Sequence, residues 1–175
     1  MNTPRYFSIR KAFLVPLGLL VLLCCILLVV VLMVGQPVAK AFILGALILP
    51  ITGLFVESAF RKAVIDEQGI TVYKFLRSKS LKFAELTAVE TVQVRKRAFL
   101  TLCAEDEFLI LSNAYGDFPE LVRVLLSRVP EGTVSEETRQ MAASPPVKSS
   151  DVISCWLAVA LLAFILYIQL GGRLW

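Results

Sequence analysis

No histidine occurs among the 175 residues of this chain. That removes the Ser–His and Cys–His couples that activate hydroxyl and thiol nucleophiles, and most zinc sites with them. The nine glycines, at 18, 35, 45, 53, 69, 116, 132, 171 and 172, never cluster after a strand-like stretch, so a phosphate-cradling loop is absent. The three long apolar runs carry no charge in their middles, where an ion or proton carrier needs one. Of the four cysteines, Cys24, Cys25 and Cys155 lie in apolar runs and Cys103 lies in the polar middle. They imply no disulfide framework and read as small buried hydrophobes. No catalytic residue, metal ligand or cofactor is expected.

What the chain does have is oil. Hydrophobic residues make up 57% of it and the mean hydropathy is +0.75, which places it in the membrane class. Residues 12–35 form the first predicted span, uncharged throughout. At about 1.5 Å per residue they cross a hydrocarbon core of roughly 30 Å. The second predicted span, 38–57, holds a shorter apolar run (41–56) between Lys40 and Glu57. Both flanking charges can snorkel outward and extend it. The third, 152–172, has Trp156 and Tyr167 near opposite ends, as interfacial anchors stand. Gly45 and Gly53 with Pro50 suggest close helix packing or a kink in the second span.

Cleavage of the first run is not expected. It is longer than the roughly 7–15 residues of an export signal, and it ends "LMVGQPVAK" without small residues at a cut site. Leu23 before Cys24 likewise argues against a lipoprotein. Orientation follows from Arg5, Arg10 and Lys11 before the first span and Arg61, Lys62, Lys74, Arg77, Lys79 and Lys82 after the second. The short turn between them has Lys40 alone; Lys148 precedes the third span and Arg173 follows it. The N-terminal residues 1–11 and the central segment are therefore expected in the cytoplasm, with the C-terminal tip outside.

From residue 60 to 130 the pattern changes to short periodic pieces. "AVI", "DEQG" and "ITVYKFL" read as strand, turn and strand, with Gly69 available for a positive φ. "SLKFAELTAVETVQV" reads as a third strand, a bend and a fourth, its apolar positions being Leu81, Phe83, Leu86, Val89, Val92 and Val94. "AFLTLCA", the acidic turn "EDE" and "FLILS" form another hairpin. In "DFPELVRVLLSRV" the residues Phe118, Leu121, Val122, Leu125, Leu126 and Val129 make a helical stripe, with Asp117 placed to cap. Pro130 is expected to end order, leaving residues 131–150 as a polar linker.

Several antiparallel strands closed by one amphipathic helix, in this order, resemble the bacterial pleckstrin-homology-like domain. The resemblance is carried by "VIDEQGITVY", by "LKFAELTAVE" and by "AFLTLCAEDEFLILSNAYGDFPELVRVLL", over about two fifths of the chain. It implies a small α+β domain, a partly open antiparallel β-barrel with one C-terminal capping helix, tethered to a two-helix membrane hairpin plus one C-terminal span. It implies no activity, since the fold hosts many binding roles. Two departures matter. The first turn, "DEQG", is acidic where phosphoinositide-binding relatives are basic, so inositol-phosphate binding is not carried over. The segment is also shorter than the eukaryotic domain, leaving a strand unaccounted for.

Charge is polarised along the segment. Residues 61–97 hold nine cations and four acids, net +5, whereas 98–130 hold two cations and five acids, net −3. Lys74, Arg77, Lys79 and Lys82 in "KFLRSKSLK", with Arg95, Lys96 and Arg97, are the candidate contacts to membrane lipids or a partner. The same charges are also what a solvated loop obeying the orientation rule would show. Nucleic acid is not expected as a partner because no stacking aromatics interleave with "RKR"; nor is a small-molecule substrate. Glu105, Asp106 and Glu107 read as a solvated turn ahead of a cation site. The functional expectation is a non-enzymatic module for protein association, as a homo-oligomer or a small subunit, with anionic-lipid binding through 74–82 and 95–97 as the alternative.

Overall fold

The computed structural model describes residues 3–105, 107–146 and 149–171. Asp106, Lys148, Gly172 and Arg173, used above, lie outside them. The chain divides into two units: one of residues 11–59 with 149–175, the other of 1–10 with 60–148.

The first unit is helical. Helices α1 (Lys11–Met33), α2 (Val38–Phe60) and α5 (Ser150–Gly171) are each long and apolar enough to cross a membrane. Helix α1 ends in a Schellman motif. The amide of Gln36 donates to the carbonyl of Val31 at 3.3 Å and that of Gly35 to Leu32 at 3.2 Å. Gly35 takes φ +66°, which only glycine adopts without strain, and Pro37 stops the helix from continuing. Leu27, Val31 and Leu166 form a small buried cluster joining α1 to α5. The close approach in this unit is at Gly18, where an added Cβ would stand 3.0 Å from the ring of Phe55. Gly45 and Gly53, which the sequence suggested for packing, face open space, and α2 buries none of its residues.

Among the described residues, the second unit is built on seven strands. Strands β1 (Arg5–Ser8), β2 (Lys62–Ile65), β3 (Gly69–Tyr73) and β4 (Ser78–Lys82) form one antiparallel sheet in sequence order. Strands β5 (Leu86–Val94), β6 (Arg97–Ala104) and β7 (Phe108–Ser112) form the other. The inward positions alternate as a half-buried sheet requires: Ala63 and Ile65, Ile70 and Val72, Ala98, Leu100 and Leu102, Leu109 and Leu111. A register shift between Leu86 and Ala88 turns both Leu86 and Val89 inward although they are three apart. Val92 and Val94 are exposed, so the apolar stretch of this strand runs beyond the core. The sheets do not close into a barrel. They meet through an isolated bridge between Ile9 and Tyr115, where the amide of Gly116 donates to the carbonyl of Ser8 at 2.7 Å.

Two segments depart from the sequence reading. Residues 1–11, expected only as an N-terminal stretch, supply β1, pairing Arg5 with Ile65 and Ser8 with Lys62. Phe7 and Ile9 are buried on its inner side. Residues 131–150, expected as a linker, contain a 3-10 turn (Glu131–Thr133) and helix α4 (Glu136–Ala143). Among the described residues there are thus two small helices rather than one, the other being α3 (Phe118–Leu126), which buries Phe118, Leu121, Val122 and Leu125. Ser135 caps α4 by accepting from the amide of Thr138 at 3.3 Å. Thr138 is fully buried, its hydroxyl donating to the Val89 carbonyl at 3.1 Å and lying 2.9 Å from the Thr91 and Ser135 hydroxyls. The Ser135 amide donates to the same carbonyl at 3.1 Å. In this way the segment covers the free edge of β5, which would otherwise expose unpaired backbone groups.

Local chemistry also differs at two turns. Asp117 does not cap α3 with its side chain; it sits at φ +50° in the left-handed region. Asp66 organises the first turn, its Oδ1 accepting from the amides of Gln68 at 2.9 Å and Gly69 at 2.7 Å. Gly69 has no positive φ. It is needed because an added Cβ would lie 2.3 Å from the Leu81 carbonyl oxygen.

Candidate functional site

Three of the seven candidate cations come together. The β3–β4 hairpin turns at Phe75 and Leu76, closed by the Lys74 amide donating to the Arg77 carbonyl at 2.8 Å. Between this hairpin and β7 runs a groove of about 490 Å³, lined by Arg61, Val72, Lys74, Arg77, Lys79, Phe108, Leu109 and Ile110. Four cations thus surround an apolar floor, with no carboxylate among the described lining residues. Lys79 holds its ammonium 5.2 Å from the centroid of the Phe108 ring and 3.6 Å from Glu107, on a mostly exposed pair. An exposed ion pair of that kind contributes at most about 1 kcal/mol, so Lys79 can exchange Glu107 for another anion cheaply.

Arg61 is the residue that sequence reasoning placed only among the orienting charges. It lies 5.7 Å over the ring of Tyr115, and its Nε donates to the Tyr115 hydroxyl at 3.3 Å. The Tyr115 carbonyl accepts from Arg10 Nε at 3.4 Å. Tyr115, completely buried, therefore contacts one arginine just before α1 and another just after α2. No periodic signal marks it: "NAYGD" reads as loop, and the pairing of residues a hundred positions apart is visible only in three dimensions.

The other four candidates stand elsewhere. Lys82 pairs with Glu85 at 2.9 Å and lines a separate hollow of about 680 Å³ that also holds Glu85, Glu105 and Glu107. Its charge is locally matched. Arg95 and Lys96 form the β5–β6 turn, with Arg95 at φ +56°, and Arg97 opens β6. Asn113, almost fully buried, ties that turn down by donating to the Lys96 carbonyl at 2.8 Å and the Pro146 carbonyl at 2.9 Å. None of these four lines the groove.

Beside the groove, the hairpin tip is apolar. Leu76 is 87% exposed and Phe75 49%. Phe75 packs on Phe60, ring centroids 5.3 Å apart at a tilt of 58°. Hairpin tips ordinarily carry Gly, Asn or Asp, because those residues satisfy the turn at no cost in exposed apolar surface. A Phe–Leu tip ringed by cations has the composition of a surface that meets something both oily and anionic. No family model matches this chain, and neither does any curated protein or solved structure.

Proposed function

We propose that the chain is a multi-pass protein of the bacterial inner membrane that holds a pleckstrin-homology-like, non-enzymatic module at the cytoplasmic face for association with other membrane proteins, as a homo-oligomer or a small subunit. The pairing of β1 with β2 carries this reading. Ser8 and Lys62 are ladder partners, while α1 begins at Lys11 and α2 ends at Phe60. A chain that leaves a sheet and returns to the neighbouring strand has both helix ends on one side, so α1 and α2 cross a bilayer twice or not at all. Each has 23 residues, or about 35 Å of helix, enough for a full crossing. Helix α5 then crosses once, and the cation-rich side faces the cytoplasm.

The pleckstrin-like identity is supported by the strand order, four then three, followed by a helix. Strand β1 supplies the strand that residues 60–130 lack. The association role is supported by α2, whose unburied length is available to a second subunit as well as to lipid. The groove favours a second reading, contact with anionic lipid headgroups through Lys74, Arg77, Lys79 and Arg61.

Topology is tested by single-cysteine labelling, with the four native cysteines replaced by Ala. In spheroplasts an impermeant maleimide is expected to label Gln36→Cys at once and Glu137→Cys only after the membrane is opened. Labelling of Glu137→Cys from outside would overturn the placement. Purification from native membranes in mild detergent is then expected to return a companion protein or a homo-oligomer; a lone monomer would contradict the association role.

A further inference from the structure

We infer that the β3–β4 hairpin tip is an interfacial wedge: Phe75 and Leu76 enter the headgroup boundary of the bilayer that α2 crosses, while Lys74, Arg77, Lys79 and Arg61 hold anionic lipid phosphates. The inference rests on the membrane reading of α2 and the lipid reading of the groove proposed above, and adds to them the apolar element that enters the bilayer.

Phe60 is the last residue of α2 yet folds with the β-rich unit, and Phe75 packs on it at 5.3 Å. A helix of 23 residues that spans a hydrocarbon core of roughly 30 Å ends at the interface, the level at which aromatic side chains settle. Phe75 packs on that end residue, so the same interfacial level is within its reach. Leu76, next in the chain and the most exposed large hydrophobe among the described residues, stands with it. The tip has no reason to be apolar in water. Neither residue has a positive φ, so the turn itself does not demand them, and polar residues would close it equally well.

Charge completes the argument. The tip's immediate neighbours Lys74 and Arg77 are cations, and both line the groove with Lys79 and Arg61. Long basic side chains beside an apolar insertion reach back toward phosphate level, their stems lying along the apolar surface. Among the described residues no carboxylate lines the groove, Glu107 being paired with Lys79 beside it, and the floor of Val72, Leu109, Ile110 and Phe108 suits the glycerol and first methylenes of a lipid. The favoured ligand is a phospholipid of net negative charge, taken from the same leaflet.

The test uses the full chain in proteoliposomes, with Trp156 and Trp175 replaced by Phe so that one introduced tryptophan reports alone. Leu76→Trp, at a site too exposed to disturb the fold, is compared with Leu47→Trp in mid-α2. In vesicles containing phosphatidylglycerol, Leu76→Trp is expected to lose most of its emission to brominated lipid and little to acrylamide. Adding Lys74→Glu, Arg77→Glu and Lys79→Glu is expected to weaken the lipid quenching and restore acrylamide access. Lipid quenching at Leu47→Trp with free acrylamide access at Leu76→Trp would overturn the wedge and leave the spans standing. A Leu76→Trp shielded from both quenchers would place a second copy of the chain on the tip and overturn the lipid assignment. Unchanged lipid quenching after charge reversal would remove the role given to the cations. Absence of lipid quenching at Leu47→Trp would bring down the membrane reading itself, and the wedge with it.

Discussion

Gly69→Ala is expected to destabilise the β-rich unit by about 2–3 kcal/mol, the cost of forcing an extra carbon into a packed contact that backbone atoms line. The added Cβ would sit 2.3 Å from the Leu81 carbonyl oxygen and 3.0 Å from Lys82 Cα. Neither is the free end of a side chain, so relief requires the β3–β4 ladder to open at its Gly69–Lys82 pair. For a unit of this size the loss corresponds to a fall in Tm of roughly 10–20 °C, read by thermal unfolding. Gly69→Asn separates the cause from its rival. Asn tolerates positive φ and would rescue a position that needed it. A position that lacks room makes Asn at least as damaging as Ala, which is the expected result.

The second large effect lies far from the domain in sequence. Phe7 in β1 and Ile9 just after it, both ahead of α1, are 7% and 5% exposed. Truncating both to Ala is expected to remove about 5 kcal/mol or more, since each large-to-small change in a core costs about 2–5 kcal/mol. That is comparable with the whole stability of a small domain. In membranes the double variant should expose residues 61–146 to limited proteolysis under conditions where the parent resists. Equal resistance would mean that β1 decorates the sheet without supporting it.

Most strands of residues 62–112 were legible because they follow a period of two and end at turns that polar residues announce, the Asp66–Gly69 turn and the acidic turn after β6 among them. The apolar β3–β4 turn and the register shift in β5 are the exceptions. Helix α3 was legible from its apolar stripe alone, although its expected Asp117 cap is not made. What escaped was tertiary. "RYFS" is four residues with no turn beside it, and its partner strand lies more than fifty positions away, across a helical hairpin. Helix α4 escaped because "SEETRQM" is polar at nearly every position and its buried Thr138 takes three polar partners. Hydropathy counts such a residue as surface.

The candidate site was legible in part, and for the same reason. Lys74, Arg77 and Lys79 sit within one hairpin, so their proximity is local and a charge run reveals it. Lys82 stands at the far end of the same hairpin, opposite Gly69, and residues 95–97 lie at the β5–β6 turn, so they share that charge but not that place. Arg61 joins the groove only through the fold, and nothing in its neighbourhood sets it apart from a charge that orients a span. The apolar tip at Phe75 and Leu76 was present in the sequence as the end of a strand-like stretch. Its meaning depends on Phe60, which only the packing supplies.

One comparison tests the central claim, that the β-rich unit is assembled from both sides of the α1–α2 hairpin. Residues 3–10 are joined through a short Gly/Ser link to residues 61–146, replacing the hairpin, and are compared with 61–146 alone by amide dispersion and thermal melting. Because Ser8 and Lys62 are ladder partners, a short link can make the connection. The joined chain is predicted to fold cooperatively and the shorter one to fail. A stretch 61–146 that folded alone, with the same melting temperature as the joined chain, would contradict the account.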